Sequence, residues 1–104
     1  MAKTTLFVFA KISPKAEYFG DAKEAITSIV QLTREEAGCL QFELYVDLSD
    51  EKLYLYEEWE SEQDLEQHYQ QPYTAAVFES YKNWLSDPVE ITKMRKPLLQ
   101  MSPT

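Results

Sequence analysis

The sequence predicts an α+β fold, with helices covering one face of an antiparallel sheet, and three observations predict it. Apolar residues alternate with period two in four stretches and recur at spacings of three and four in the stretches between them. The stretches follow one another as strand, helix, strand, strand, helix pair, strand, the split βαβ or ferredoxin-like arrangement. One face of the strands carries Phe7, Phe9, Tyr45, Tyr54 and Tyr56, and no helical stripe is left to cover them.

From Thr4 to Ile12, Leu6, Val8, Ala10 and Ile12 share one face and Phe7 and Phe9 the other, so this first strand is apolar on both sides. Ser13-Pro14 marks a boundary, since proline fixes its own φ and suits a first helical turn. A helix is expected from Lys15 to about Ala37, with Phe19, Ala22, Ala25, Ile26, Ile29, Val30 and Thr33 as its buried stripe. Gly20 loosens the first turn and Gly38 supplies the stop. Leu40, Phe42, Leu44 and Val46 then form the dry face of a second strand, and Asp47 to Glu51 read as a hairpin loop rich in turn formers. That loop lacks the ligand spacing and the glycine of a calcium loop.

The third strand, Lys52 to Glu60, puts Leu53, Leu55, Glu57 and Trp59 on one face and Tyr54, Tyr56 and Glu58 on the other. Ser61 followed by Asp64 resembles a capping box and opens a short helix with Leu65 and Tyr69 on its apolar side and His68 near the same side. Pro72 re-aims the chain into a second stripe of Tyr73, Val77, Phe78, Tyr81, Trp84 and Leu85. Asp87-Pro88 ends it, a last short strand follows from Val89, and a loosely held tail is expected from Pro97.

At 104 residues and 44% hydrophobic composition, residues 1–104 are expected to form a single domain. The balance of 10 basic against 18 acidic residues repels phosphate backbones and anionic lipid, so neither nucleic acid nor membrane is an expected partner. No apolar signal region follows Met1-Ala2-Lys3, and a cytoplasmic location is expected. With one cysteine, Cys39, and one histidine, His68, neither an internal disulfide nor the usual zinc ligand set can be assembled; Cys39 reads as a small packed residue. Two glycines, Gly20 and Gly38, cannot make a phosphate-cradling loop, which disfavours flavin and nicotinamide enzymes.

What remains is Glu57, Trp59, His68 and Tyr73, close in sequence on elements that should meet over one sheet face. Histidine exchanges a proton near neutral pH, tyrosine makes hydrogen bonds, and tryptophan offers a flat wall for a ring. Each also has a structural reading: a hydrogen-bonded histidine, a core tryptophan, a packed tyrosine. Glu57 is the odd residue, because a carboxylate beneath helices needs a partner or a raised pKa, and His68 or a helix N-terminus could serve.

LYEEWES at 55–61 and DLEQHYQQPY at 64–73, preceded by EEAGCLQFELYVD at 35–47, resemble the antibiotic biosynthesis monooxygenase family, including its quinol monooxygenase-like bacterial members. The likeness runs over nearly the whole chain. It lies in Glu36-Ala37-Gly38-Cys39 leading into the second strand, Glu57-Glu58-Trp59 on the third, and His68 ahead of Pro72-Tyr73. The family's Pro-His pair is Pro72-Tyr73 here, which leaves His68 as the one imidazole for any two-histidine mechanism.

The resemblance implies a dimeric α+β barrel with pockets between sheet and helices, and oxygen chemistry without a cofactor or metal. It implies an electron-rich aromatic substrate such as a hydroquinone or polyphenol, with His68 and Glu57 as the catalytic pair, base and orienter. Trp59 is then the ring wall and Tyr73 a hydrogen-bond donor, with Phe42 and Tyr69 completing the substrate-binding set. A homodimer through Phe7, Phe9, Tyr45, Tyr54 and Tyr56 fits both the resemblance and the uncovered sheet face. Two other functions stay open on this fold: an isomerase of a small carbonyl signalling molecule, phosphorylated or not, using His68, and a non-catalytic stress-response module that binds a small molecule. A haem-degrading role would need His68 as axial ligand, and the first strand lacks the asparagine expected for it.

Overall fold

The computed structural model describes residues 4–97. Strand β1 (Leu6–Ile12) leads through a 3₁₀ turn (Ala16–Tyr18) into helix α1 (Phe19–Arg34), followed by the hairpin β2 (Cys39–Val46) and β3 (Leu53–Trp59). Helices α2 (Glu62–Tyr69) and α3 (Pro72–Trp84) come next, and β4 (Glu90–Met94) closes the order. The four strands form one antiparallel sheet in the order β2-β3-β1-β4. This is the expected ferredoxin-like α+β fold, in which the first and third strands lie in the middle.

The central strands show the alternation that predicted them. Leu6, Val8, Ala10 and Ile12 of β1 and Leu53, Leu55, Glu57 and Trp59 of β3 are all buried on the helix-covered face. Their registers place Glu57 beside Val8 on one side and Phe42 on the other, in the middle of the inner face. Ala22, Ile26, Ile29 and Thr33 of α1 are buried, as the stripe required. On the opposite face Phe9 stacks on Tyr54 with 5.5 Å between ring centroids.

Three local expectations change. The helix expected from Lys15 to Ala37 begins with a 3₁₀ turn and is α-helical only from Phe19 to Arg34, the loosened start lying just ahead of Gly20. The dry face expected of β2 holds at Phe42, whereas Leu40 and Val46 are exposed. A register irregularity between Cys39 and Gln41 breaks the alternation, and β2 is an edge strand with neighbours on one side only. On α3 the deepest residue of the first turn is Thr74, while Tyr73 beside it is half-buried. The tail expected from Pro97 lies, beyond Pro97, outside the described residues.

Local chemistry sets the ends of the helices. Ser61 Oγ accepts the Asp64 backbone N–H at 3.2 Å, capping α2 as the sequence suggested, and Pro72 occupies the first turn of α3. Gly38 has φ of +84°, and a Cβ there would lie 2.2 Å from Asp64 Cγ. Glycine is thus required twice over, for the left-handed backbone and for the approach of the α2 cap.

Candidate functional site

Between the inner sheet face and the three helices lies a small cavity with a free volume of about 30 Å³. Val8, Phe42 and Glu57 line it from the sheet, and His68, Thr74 and Tyr81 from the helices. No Lys or Arg of the described residues lines it. That volume accommodates a water molecule, whereas an engineered apolar cavity that binds benzene measures about 150 Å³.

His68 is held by a polar cluster on one side and rings on the others. Its Nδ1 stands 3.1 and 3.0 Å from the two carboxylate oxygens of Glu36, and Thr74 Oγ1 is at 3.5 Å. Tyr73 donates its hydroxyl hydrogen to the same Glu36 carboxylate. The His68 side chain is only 4% exposed and that of Glu36 10%. Trp59, Phe42 and Tyr69 pack around the imidazole with centroids at 5.0, 5.5 and 5.7 Å. A carboxylate against Nδ1 keeps the ring proton there, so in the neutral imidazole Nε2 carries the lone pair.

Glu57 meets a different partner. Its Oε1 accepts the indole N–H of Trp59 at 2.9 Å, a bond between side chains two residues apart on one strand face. Burial pushes the Glu57 carboxyl up to about 7; the indole bond opposes this and the Glu36 charge adds to it. A group with that value in an apolar cavity changes between donor and acceptor near neutrality. Burial also raises the hydroxyls of Tyr69, to about 12, and of Tyr81, with the Glu57 charge adding to both. The Cys39 thiol is pushed up to about 11, first by burial and then by Glu36 and Glu57. It is a poor nucleophile, in keeping with a packing role.

The site residues named from the sequence therefore separate into two groups. Glu57, His68, Phe42 and Tyr69 line the cavity together. Trp59, fully buried, packs against His68 and bonds Glu57, and Tyr73 donates to the Glu36 carboxylate that meets His68; neither lines the cavity. The pairing of Glu57 with His68 considered from the sequence is not formed, because Glu36 occupies Nδ1 and Trp59 occupies Glu57.

The sequence profile of one protein family, antibiotic biosynthesis monooxygenase, matches residues 5–80. The chain belongs to that family. Solved structures share its fold throughout. A conserved protein from Methanosarcina mazei Go1 is 28% identical, with a TM-score of 0.84 over 92% of this chain and 96% of that one. A Pseudomonas aeruginosa protein is 24% identical, with a TM-score of 0.86 over 93% and 98% of the two chains. A structure described as an antibiotic biosynthesis monooxygenase is 23% identical, with a TM-score of 0.80 over 86% and 95%. No curated protein matches the sequence. Membership carries a general monooxygenase-like assignment, without a substrate.

Within this family member, Glu36 and Thr74 are the site residues that sequence reasoning did not single out. Both were signalled. The buried stripe Ile26, Ile29, Thr33 continued by three residues lands on Glu36, a carboxylate on a core-facing phase, the same anomaly that drew attention to Glu57. Thr74 shares the phase of Val77 and Tyr81, also buried. Among the described residues no group of three or more His, Cys, Asp and Glu side chains is arranged to hold a metal ion. No helix of the described residues is long and apolar enough to cross a membrane.

Proposed function

We propose that the protein is a cofactor-independent monooxygenase that oxidises a small, neutral, electron-rich aromatic such as a hydroquinone with O₂. The observation that carries this reading is the buried Glu36–His68 pair, which commits Nδ1 to a carboxylate and leaves Nε2 as the basic atom of a residue lining an apolar cavity. His68 takes a phenolic proton, and the resulting electron-rich anion reduces O₂ directly. For hydroquinone the balance is one quinol and one O₂ giving hydroxybenzoquinone and water, the ring supplying the electrons. Glu57, next to the same cavity, exchanges the second phenolic proton, and Phe42 and Tyr69 flank the ring. Trp59 and Tyr73 act from behind, holding Glu57 and Glu36 in place.

The absence of Lys and Arg from the described lining disfavours the isomerase of a phosphorylated compound, whose dianion would meet the Glu57 carboxyl group and no Lys or Arg counter-charge. A homodimer belongs to the same reading, with Phe7, Phe9, Tyr45, Tyr54 and Tyr56 buried between two sheets; Phe9 is 40% and Tyr45 53% exposed in the single chain. A cytoplasmic setting, with a small molecule as partner, completes it.

Metal-free protein incubated with hydroquinone should consume oxygen faster than buffer, and His68→Ala should lose that excess. Equal uptake with and without protein would sink the oxygenase. Proton exchange into a carbonyl compound without oxygen uptake would support the isomerase, and ligand binding with neither activity the binding module. Sedimentation at micromolar concentration should give twice the 12.2 kDa chain mass.

A further inference from the structure

The cavity beside His68 is too small for the ring that the proposed chemistry requires, and the structure shows where the missing space lies. A second, open depression of about 360 Å³ lies on the surface along α3 and the turn after it, with Lys82, Leu85 and Asp87 among its walls. Three residues line both spaces: Phe78, Tyr81 and Val89. They are the shared wall between the small inner cavity and the surface depression.

Of the three, Phe78 is the most exposed, with Val89 intermediate and Tyr81 buried. Tyr81 is 9% exposed, whereas Phe78 is 36% exposed although it faces the cavity. Its ring stands edge-on to Tyr69 at 5.7 Å and to Tyr81 at 5.4 Å, and a phenyl group has no hydrogen bond to lose on turning outward. We infer that Phe78 is the gate of a single binding site now divided in two, and that its outward rotation admits a neutral phenolic ring from the surface depression to the Glu57–His68 end. The inference rests on the proposed oxygenase reading for the kind of ligand, and on the shared walls for the gate. A ring that carries a carboxylate is disfavoured in the inner space, where the described lining residues include no Lys or Arg and the Glu57 carboxyl group is already present.

The test is the kinetics of binding, read by stopped-flow fluorescence with 2-naphthol as the neutral probe and 6-hydroxy-2-naphthoate as the anionic one. A closed gate that opens for about 1–10% of the time makes the observed rate level off at high probe concentration. The wild-type rate should show this plateau. Phe78→Ala should remove it and raise the initial slope by about tenfold or more, and Phe78→Trp should lower the plateau, both variants keeping the wild-type far-ultraviolet circular dichroism. The naphthoate should bind at least about a hundredfold more weakly than 2-naphthol.

Identical plateaus in wild type and Phe78→Ala would overturn the gate, as would failure of every variant to bind 2-naphthol; equal affinity for the two probes would overturn the ligand class. Binding is read without oxygen uptake, so the two readings fail separately. Gated binding by a protein that consumes no oxygen counts against the oxygenase alone. Oxygen uptake with binding kinetics unchanged in Phe78→Ala counts against the gate alone.

Discussion

Replacing Glu57 by Gln should make the protein more stable in mildly alkaline solution and remove much of its sensitivity to pH. Glu57 is 4% exposed, and its carboxyl is raised from the ordinary 4.5 to about 7. A carboxyl raised on folding keeps its proton more tightly in the native state than in the unfolded chain, so the native state binds more protons between those two values. Stability is therefore full below about 4.5, declines as pH rises through about 7, and is constant beyond. At about 1.4 kcal/mol per pKa unit the loss is about 3 kcal/mol.

Gln keeps a carbonyl oxygen to accept the Trp59 indole N–H, has no charge to bury, and fits the same volume. Urea unfolding followed by tryptophan fluorescence at about pH 5 and about pH 8, at one fixed protein concentration, measures the effect. The stability of Glu57→Gln relative to wild type should rise by about 2 kcal/mol between the two conditions, since about pH 5 already lies inside the titration window. A difference that stays constant with pH would show that Glu57 titrates alike in the folded and unfolded chains, and would remove it from the proton-exchanging pair.

Gly38→Ala should destabilise by at least about 2 kcal/mol, lowering the melting temperature by roughly 10 °C, because the left-handed backbone and the Asp64 clash act together. An unchanged melting temperature would refute the close approach. Alkylation of Cys39 by iodoacetamide at about pH 8 should run roughly a hundredfold slower than that of an unperturbed thiol, since its pKa stands at about 11 against 9.0; a normal rate would contradict that environment. Glu36→Gln should lower the rate of hydroquinone-dependent oxygen uptake by about ten- to a hundredfold while leaving 2-naphthol affinity within about threefold, the pattern of a residue that positions the base. Equal losses in uptake and affinity would instead make Glu36 a structural residue.

The proton-bearing residues divide clearly between those the chain order reveals and those it hides. Glu57 was legible because strand alternation is strict: a carboxylate flanked by Leu55 and Trp59 on the apolar phase must be buried wherever the strand is central. His68 was placed near the inner side of α2 by its spacing from Leu65. Their partners were not legible to the same degree. Glu36 and His68 are 32 residues apart, and the bond between them exists because the turn after α1 lies beside the last turn of α2. Leu40 was misplaced because an irregularity at the start of a strand leaves no trace in a period-two pattern, and Val46, in register with the buried Leu53, is exposed at the end of an edge strand.

By itself the sequence determined the element order, the inner and outer faces of β1 and β3, the cap at Ser61, and the family. These depend on local spacing and local hydrogen bonds, which the order of residues states directly. The tertiary structure alone decided that Glu57 answers to Trp59 and His68 to Glu36, that Trp59 and Tyr73 lie outside the cavity lining, and that Phe78, Tyr81 and Val89 stand between the cavity and the surface depression. These depend on distances between elements, set when helices and sheet pack to exclude water and each buried polar group takes the partner within reach.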